Sequence, residues 1–326
     1  MKLFRPLWDS KNEKRAVKAV EKIKDETKLA RVVEEARCLQ ACETAAEKLT
    51  DQNLIILLLQ KNIITYNSYI DRKIRFTLAK KLDDTNKAQQ ILSEIAANLS
   101  DNYSVSQSPL DFGNAVLDCI TEQSALFYVA AHGRISQIYE KAIERLTDTN
   151  LLYELAKGRA NDKGHLAIQQ LNDQKLLEDL AINDKEMNVR ILAAQKLINQ
   201  SLAQSIYAEI AKFDDDIAVK TAAIKNFDKN NLQFIPEIVE NLLSVHHNYS
   251  NEKVNDFIQF VYKVSQQEQK QILYRYKGKI LPHQDHSYTT GIHSDYTDTY
   301  SDGGYDGHND YRESYHTDEP EITIWF

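Results

Sequence analysis

Glycine, proline and cysteine are all scarce in this chain. Its 326 residues include 9 glycines, 5 prolines and 3 cysteines. Because glycine and proline interrupt helices, their scarcity favours helical structure over most of the length. The cysteines, Cys38, Cys42 and Cys119, are an odd count and too few for a disulfide framework. A small disulfide-stapled extracellular fold is therefore excluded.

Long hydrophobic runs are also lacking. The most apolar stretch, LIILLLQKNII from Leu54, is far shorter than a membrane span, and the first residues contain no apolar run of signal-peptide length. We therefore expect a cytoplasmic protein with no membrane partner.

Positive charge is in short supply as well. The net charge is -8, and residues 283–326 alone carry -9, so residues 1–282 are close to neutral. Non-specific binding to nucleic acid requires a broad basic surface. We therefore expect no nucleic-acid partner.

A repeated pair of amphipathic phrases is the main feature that is present. One phrase is clearest as LNDQKLLEDLA from Leu171, and the other as NVRILAAQKL from Asn188. Apolar residues at helical spacing in each phrase predict two short helices joined by a polar turn. Because no unit of this length can bury its apolar stripe alone, neighbouring units must stack. Eight units start at the anchor residues Ile23, Leu49, Leu82, Ile120, Leu146, Leu171, Leu197 and Phe227.

Aspartate follows the anchor at a constant place in four units. Asp51, Asp84, Asp148 and Asp173 each come directly before a predicted first helix. A carboxylate there accepts hydrogen bonds from free N–H groups and suits the positive end of the helix dipole. The two longest units contain apparent insertions, ITYNSYIDRK near Ile64 and SDNYSVSQSPLDFG near Ser100.

These phrases resemble HEAT-like repeats, in the short bacterial form that grades into the leucine-rich-variant repeat. The residues that carry the resemblance are the D-x-x-L-L-x-x-L-A run at 173–181 and the V-R-x-x-A-A-x-x-L run at 189–197. The resemblance implies an all-α, right-handed α-solenoid of about eight helix-turn-helix units. It also implies a protein-binding scaffold that uses its concave face, and it carries over no catalytic residue.

Two domains follow from this pattern. Residues 1–282 form the solenoid, with Phe4, Leu7 and Trp8 covering the first unit and two further helices closing the other end. Residues 283–326 are rich in Asp, Tyr, His and Gly with almost no aliphatic residue, so we expect a largely disordered tail.

Two cations share a register in successive second helices. Arg190 and Lys220 each stand near the start of such a helix. One interpretation is an exposed ridge that binds an acidic partner, and the other is pairing with the acidic turns inside the repeat.

The tail offers a candidate metal site. Imidazole and carboxylate together suit zinc, nickel or copper, although a solvated acidic tail without any cofactor is the simpler interpretation. Four H-x-D steps supply the ligands: His283 and Asp285, His293 and Asp295, His308 and Asp310, His316 and Asp318.

The chain ends in the apolar peptide EITIWF. Its alternating residues favour an extended segment, and Trp325 and Phe326 are typical anchors for a groove. Docking on the solenoid, docking on a partner and a loose end all remain open.

Other candidate chemistry is weaker. Cys38 and Cys42 lack further zinc ligands nearby, and the acidic turn at Asp214, Asp215 and Asp216 lacks the glycine of a calcium loop. We therefore expect core cysteines and a solvated turn.

A non-enzymatic interaction scaffold is the function that these observations favour. Two alternatives stay open: an enzyme similar to the HEAT-like bilin lyases, and a nucleic-acid-binding protein similar to the HEAT-like glycosylases.

Overall fold

The computed structural model describes residues 6–61, 68–99, 109–244 and 250–266, together with residues 270 and 273. The chain divides into two units, Met1–Leu281 and Pro282–Phe326, and all the described residues belong to the first. Within these residues the fold is all-α, with 17 α-helices, two short 3-10 helices and no strand. The α-helices are α1 Glu13–Glu21, α2 Glu26–Glu35, α3 Leu39–Lys48, α4 Gln52–Gln60, α5 Ser68–Ala79, α6 Thr85–Ala97, α7 Pro109–Asp118, α8 Gln123–His132, α9 Ser136–Glu144, α10 Thr149–Ala156, α11 Asp162–Gln170, α12 Gln174–Asn183, α13 Met187–Gln195, α14 Gln200–Phe213, α15 Ile217–Ile224, α16 Ile235–Ser244 and α17 Asn251–Val264. The 3-10 helices lie at Leu7–Asp9 and Asn231–Phe234.

The helices pack in neighbouring pairs. From α2 to α15, each even-numbered helix packs on the odd-numbered helix that follows it. Helices two apart also pack on each other, as in α1 with α3, α11 with α13, α6 with α8 and α12 with α14. We call the even-numbered helices the even row and the odd-numbered helices the odd row. This arrangement confirms an all-α fold for the described part of the chain and is compatible with a helical repeat.

The aspartates cap their helices as predicted. Asp51, Asp148 and Asp173 each accept hydrogen bonds from two backbone N–H groups of the helix that follows, and Asp84 accepts one from Lys87. These bonds satisfy N–H groups that have no partner inside the helix. The first helix of each of these units therefore begins directly after its capping aspartate.

The anchor residues lie in the core. Five of the eight are buried, and the other three are partly buried against the core. Because the anchor joins the second helix of one unit to the first helix of the next, its burial ties the units together. The buried anchors are Leu49, Ile120, Leu146, Leu171 and Leu197.

The sequence interpretation differs from the structure at three places. The helices α5 and α7 begin inside the two segments that the sequence pattern indicates as insertions. Leu7 is 58 % exposed, so it does not cover the first unit, whereas Trp8 packs partly against the core. Phe4 lies outside the described residues.

A ladder of amide side chains links successive units. Gln123 on the first turn of α8 accepts hydrogen bonds from the N–H groups of Thr147 and Asp148 at 2.7 and 3.1 Å, and it donates to the carbonyl of Arg145. Each member of the ladder therefore holds the turn that starts the next unit. The same role belongs to Glu26, Gln52, Gln89, Gln174 and Gln204, with Glu26 acting as an acceptor only.

Basic side chains link the ends of the odd-row helices. Lys196, which follows α13, donates to the carbonyls of Ile168 and Leu171 near the end of α11, at 3.0 and 2.6 Å. Arg145 donates in the same way to Leu117 at the end of α7. A cation at a helix C-terminus satisfies free carbonyls and suits the negative end of the dipole.

Candidate functional site

Arg190 and Lys220 lie in the interior, not on an exposed ridge. They are 7 % and 4 % exposed, respectively. Arg190 donates to the carbonyl of Ala181 at 2.9 Å, and Lys220 donates to the carbonyl of Ala211 at 3.0 Å. Both therefore cap the C-terminal end of the first helix in their own unit, nine residues back in the chain.

Neither interpretation of these cations holds in full: both side chains are buried, and the carboxylate that Arg190 contacts lies in the next unit, so only Lys220 lies near the acids of its own turn. Arg190 contacts the carboxylate of Glu209 on α14 at 3.2 Å. Burial lowers the pKa of Lys220, and the charges of Asp214 and Asp215 oppose that shift. The prediction of an exposed ridge is corrected accordingly, because the long side chains turn inward to reach free carbonyls.

The tail candidates lie outside the described residues. These are the partner-binding residues Trp325 and Phe326 and the metal candidates His283, Asp285, His293, Asp295, His308, Asp310, His316 and Asp318. Both predictions stay predictions.

The cysteines and the acidic turn serve the fold. Cys42 is buried and its thiol donates to the carbonyl of Ala36 at 3.3 Å, and burial raises its pKa to about 12. Asp214 and Asp216 accept backbone N–H groups two residues ahead at 2.7 Å. Among the described residues, no group of three His, Cys, Asp or Glu side chains is placed to hold a metal ion.

Exposed apolar side chains concentrate on the even row. Seven large apolar or tyrosine side chains are exposed among the described residues, and four of them lie on even-row helices. They are Leu57 on α4, Tyr128 on α8, Ile182 on α12 and Phe213 on α14. One other, Tyr262, lies on an odd-row helix, and the remaining two lie outside the α-helices.

The four side chains share one face of their helices. Counted from the ladder glutamine of the same helix, Leu57 and Tyr128 stand five residues on, Ile182 eight and Phe213 nine. At about 100° per residue these offsets fall within an arc of about 100°. We call this set of four side chains the even-row stripe.

Two grooves accompany the stripe. One, of about 330 Å³, lies between α6 and α8 beside Tyr128 and is lined by Gln89 and Glu94. The other, of about 690 Å³, lies between α14 and the second 3-10 helix beside Phe213. Because a ladder glutamine lines both, the grooves occupy equivalent places in two units.

Local contacts hold the groove walls in place. Beside Phe213, Lys212 lies 3.9 Å from the ring centroid of Phe234 and forms an ion pair of 2.8 Å with Glu237. Beside the other groove, the rings of Tyr128 and His132 stack with centroids 4.4 Å apart. Side chains that are ordered before binding lose less conformational entropy when a partner arrives.

A partly buried hydrogen bond joins two neighbouring helices of the even row, α10 and α12. The hydroxyl of Tyr153 on α10 donates to the carboxylate of Asp179 on α12 at 2.5 Å. This hydrogen bond raises the pKa of Tyr153 and lowers that of Asp179, which also accepts from Asn183. The bond therefore favours the ionised carboxylate and the protonated phenol.

Sequence reasoning missed the even-row stripe. The signal in the sequence is weak, because the position five places after the ladder glutamine holds Leu57 or Tyr128 in two helices but Glu94, Asp179 or Glu209 in the other three. It becomes visible only when the ladder glutamines, rather than the anchors, define the register.

No helix in the described part of the chain has both the length and the apolar character that crossing a membrane requires. Comparisons with protein families, with curated proteins and with solved structures find no match for this chain.

Proposed function

We propose that this protein is a non-enzymatic scaffold that binds another protein through its helical repeat. In this proposal residues 1–282 form a right-handed α-solenoid of about eight HEAT-like units. The ladder of amide side chains and the recurring helix pairs support a repeat, and the matching runs at 173–181 and 189–197 support the HEAT type.

The even-row stripe is the observation that carries the proposal. Exposed aromatic and aliphatic side chains at one helix face are typical anchors for a protein partner, and two of them, Tyr128 and Phe213, line grooves. The resemblance implied the concave face as the binding surface. We assign partner binding to the even row, because the exposed apolar side chains concentrate there.

The strength of each anchor follows from its burial. Covering a fully exposed leucine or phenylalanine is worth about 1.5–3 kcal/mol, and the stripe side chains are already partly covered. Tyr128 and Phe213 offer the largest rings. Replacing both with serine should therefore weaken a complex by a few kcal/mol, which is more than a hundredfold in Kd.

The test compares this double variant with a matched control. Ile198 is 80 % exposed in a turn between α13 and α14, outside the stripe. The wild type, the double variant and Ile198→Ser are immobilised, and proteins retained from an extract of the native host are quantified by mass spectrometry. We expect one protein set that the wild type and Ile198→Ser retain and the double variant loses.

Equal retention by all three forms would contradict the proposal. Visible absorbance of the protein after incubation with a bilin, or a duplex DNA mobility shift at physiological salt, would instead favour the lyase or nucleic-acid alternative. Thermal unfolding of each variant checks that the fold is intact.

A further inference from the structure

A basic groove lies near the start of the described chain and shares no lining residue with the even-row stripe. It is formed by the first 3-10 helix and α1, and its volume is about 370 Å³. Its walls carry Lys14, Arg15, Lys18 and Lys22, together with the exposed Leu7. No acidic side chain of the described part of the chain lines it.

The four cations are exposed and have no ion-pair partner among the described residues. On an ideal helix they fall within an arc of about 100°. Glu21, on the same helix, stands outside the lining. This concentration of one sign contrasts with the net charge of -8 for the whole chain.

Their spacing matches an extended peptide. Lys14 and Lys18 on α1 and Lys22, which directly follows it, are four residues apart, which separates them by about 6 Å along the axis. Alternate side chains on an extended strand are about 6.6–6.8 Å apart and point to the same side. Carboxylates at every second position of an extended segment would therefore meet successive lysines.

We propose that this groove binds an extended acidic segment of a partner protein, with carboxylates at alternate positions on the lysines and an apolar side chain against Leu7. The proposal is independent of the even-row stripe and of the function assigned to it. A partner that bound both the groove and the even-row stripe would be held with a higher overall affinity than either surface gives alone.

A protein segment fits this groove better than a membrane or a nucleic acid does. Ala16 and Val20 of α1 are fully buried in the core, and its other apolar residues, Val17 and Ala19, are only partly exposed, so the helix has no broad apolar face to insert into lipid. The cations span only about 12 Å of chain, and among the described residues no aromatic side chain lines the groove on which a base would stack.

The experiment uses the full chain and a labelled peptide of alternating glutamate and threonine. Binding is followed by fluorescence anisotropy for the wild type, Lys18→Glu and Lys175→Glu. Lys175 is an exposed residue on α12, so its replacement makes the same change in net charge far along the chain from the groove. A peptide with glutamine in place of glutamate is the neutral probe.

We expect saturable binding by the wild type and by Lys175→Glu, and binding at least tenfold weaker for Lys18→Glu. The neutral peptide should not bind. Raising the salt from about 0.1 M to about 1 M shortens the screening length from about 10 Å to about 3 Å and should release the acidic peptide.

Three results would overturn the proposal. One is the absence of saturable binding, and another is an equal loss in the two charge-reversal variants, which would indicate net charge alone. The third is binding of duplex DNA or of phosphatidylserine vesicles that is tighter than binding of the acidic peptide and is abolished by Lys18→Glu. That result would assign the groove to a different class of partner. Unfolding curves for both variants show whether the fold is retained.

Discussion

The amide ladder predicts a specific loss when one of its members is removed. Gln174, on the first turn of α12, accepts a hydrogen bond from the N–H of Ile198 at 2.9 Å and donates one to the carbonyl of Lys196 at 3.3 Å. Both partners belong to the turn that starts the next unit. Gln174→Ala removes both bonds and leaves the two backbone groups to solvent.

The magnitude follows from the two bonds. A typical intramolecular hydrogen bond contributes a net 0.5–1.5 kcal/mol, so the pair is worth about 1–3 kcal/mol. The lower half of that range applies here, because Gln174 is partly exposed and water can reach the freed N–H of Ile198. We therefore expect Gln174→Ala to lower the free energy of unfolding by about 1–2 kcal/mol.

A second variant separates the acceptor from the donor. Gln174→Glu retains an acceptor for Ile198 and loses the donor to Lys196, as Glu26 does naturally at its own position in the ladder. Its loss of stability should lie between those of the wild type and Gln174→Ala. Gln40, an exposed residue of α3, makes no side-chain contact in the ladder, so Gln40→Ala is the control for removing a glutamine.

Two measurements test the reasoning. Urea unfolding followed by circular dichroism gives the change in stability, and amide hydrogen exchange reports on the single N–H of Ile198. That amide should exchange faster in Gln174→Ala than in Gln174→Glu or the wild type. If Gln174→Ala unfolds like Gln40→Ala and the Ile198 amide keeps its protection, the ladder does not stabilise the contact between units.

Three further predictions concern the same array. Thr149 stands at the ladder position of α10 but has no side-chain amide. In Thr149→Gln the new amide should accept a hydrogen bond from the N–H of Asn172 and donate one to the carbonyl of Gln170, which should stabilise the protein by about 0.5–1.5 kcal/mol. An unchanged urea midpoint would show that the new side chain does not reach this turn. Leu197 is buried, and Leu197→Ala should cost about 2–5 kcal/mol, whereas a melting temperature equal to that of the wild type would contradict the repeat register. Hydrogen bonds from the turn after α3 lower the pKa of Glu26 in the folded protein. The ionised carboxylate therefore stabilises the fold at pH values above the pKa of the unfolded chain, about 4.3. This stabilisation is lost as the pH falls through the lower pKa of the folded state. The melting temperature of the wild type should therefore fall more steeply than that of Glu26→Gln below about pH 4.3, and parallel curves would exclude the linkage.

The sequence by itself determined the helices and the places where many of them begin. Amphipathic spacing is a local property, and a capping aspartate such as Asp51 or Asp173 acts within its own first turn. The burial of the anchors, such as Leu146, was also predictable, because an apolar residue that recurs between helices has to lie where units meet.

Only the tertiary structure decided where the long polar and exposed apolar side chains go. The positions of Arg190 and Lys220 in the repeat do not reveal whether their side chains point outward or inward. The free carbonyls at the end of a neighbouring helix make the inward orientation favourable. In the same way, Leu7 and Phe213 resemble core residues in the sequence, and only the position of the surrounding helices leaves them exposed. Local pattern determines which face of a helix is apolar, but the neighbours that are present determine how much of that face they cover.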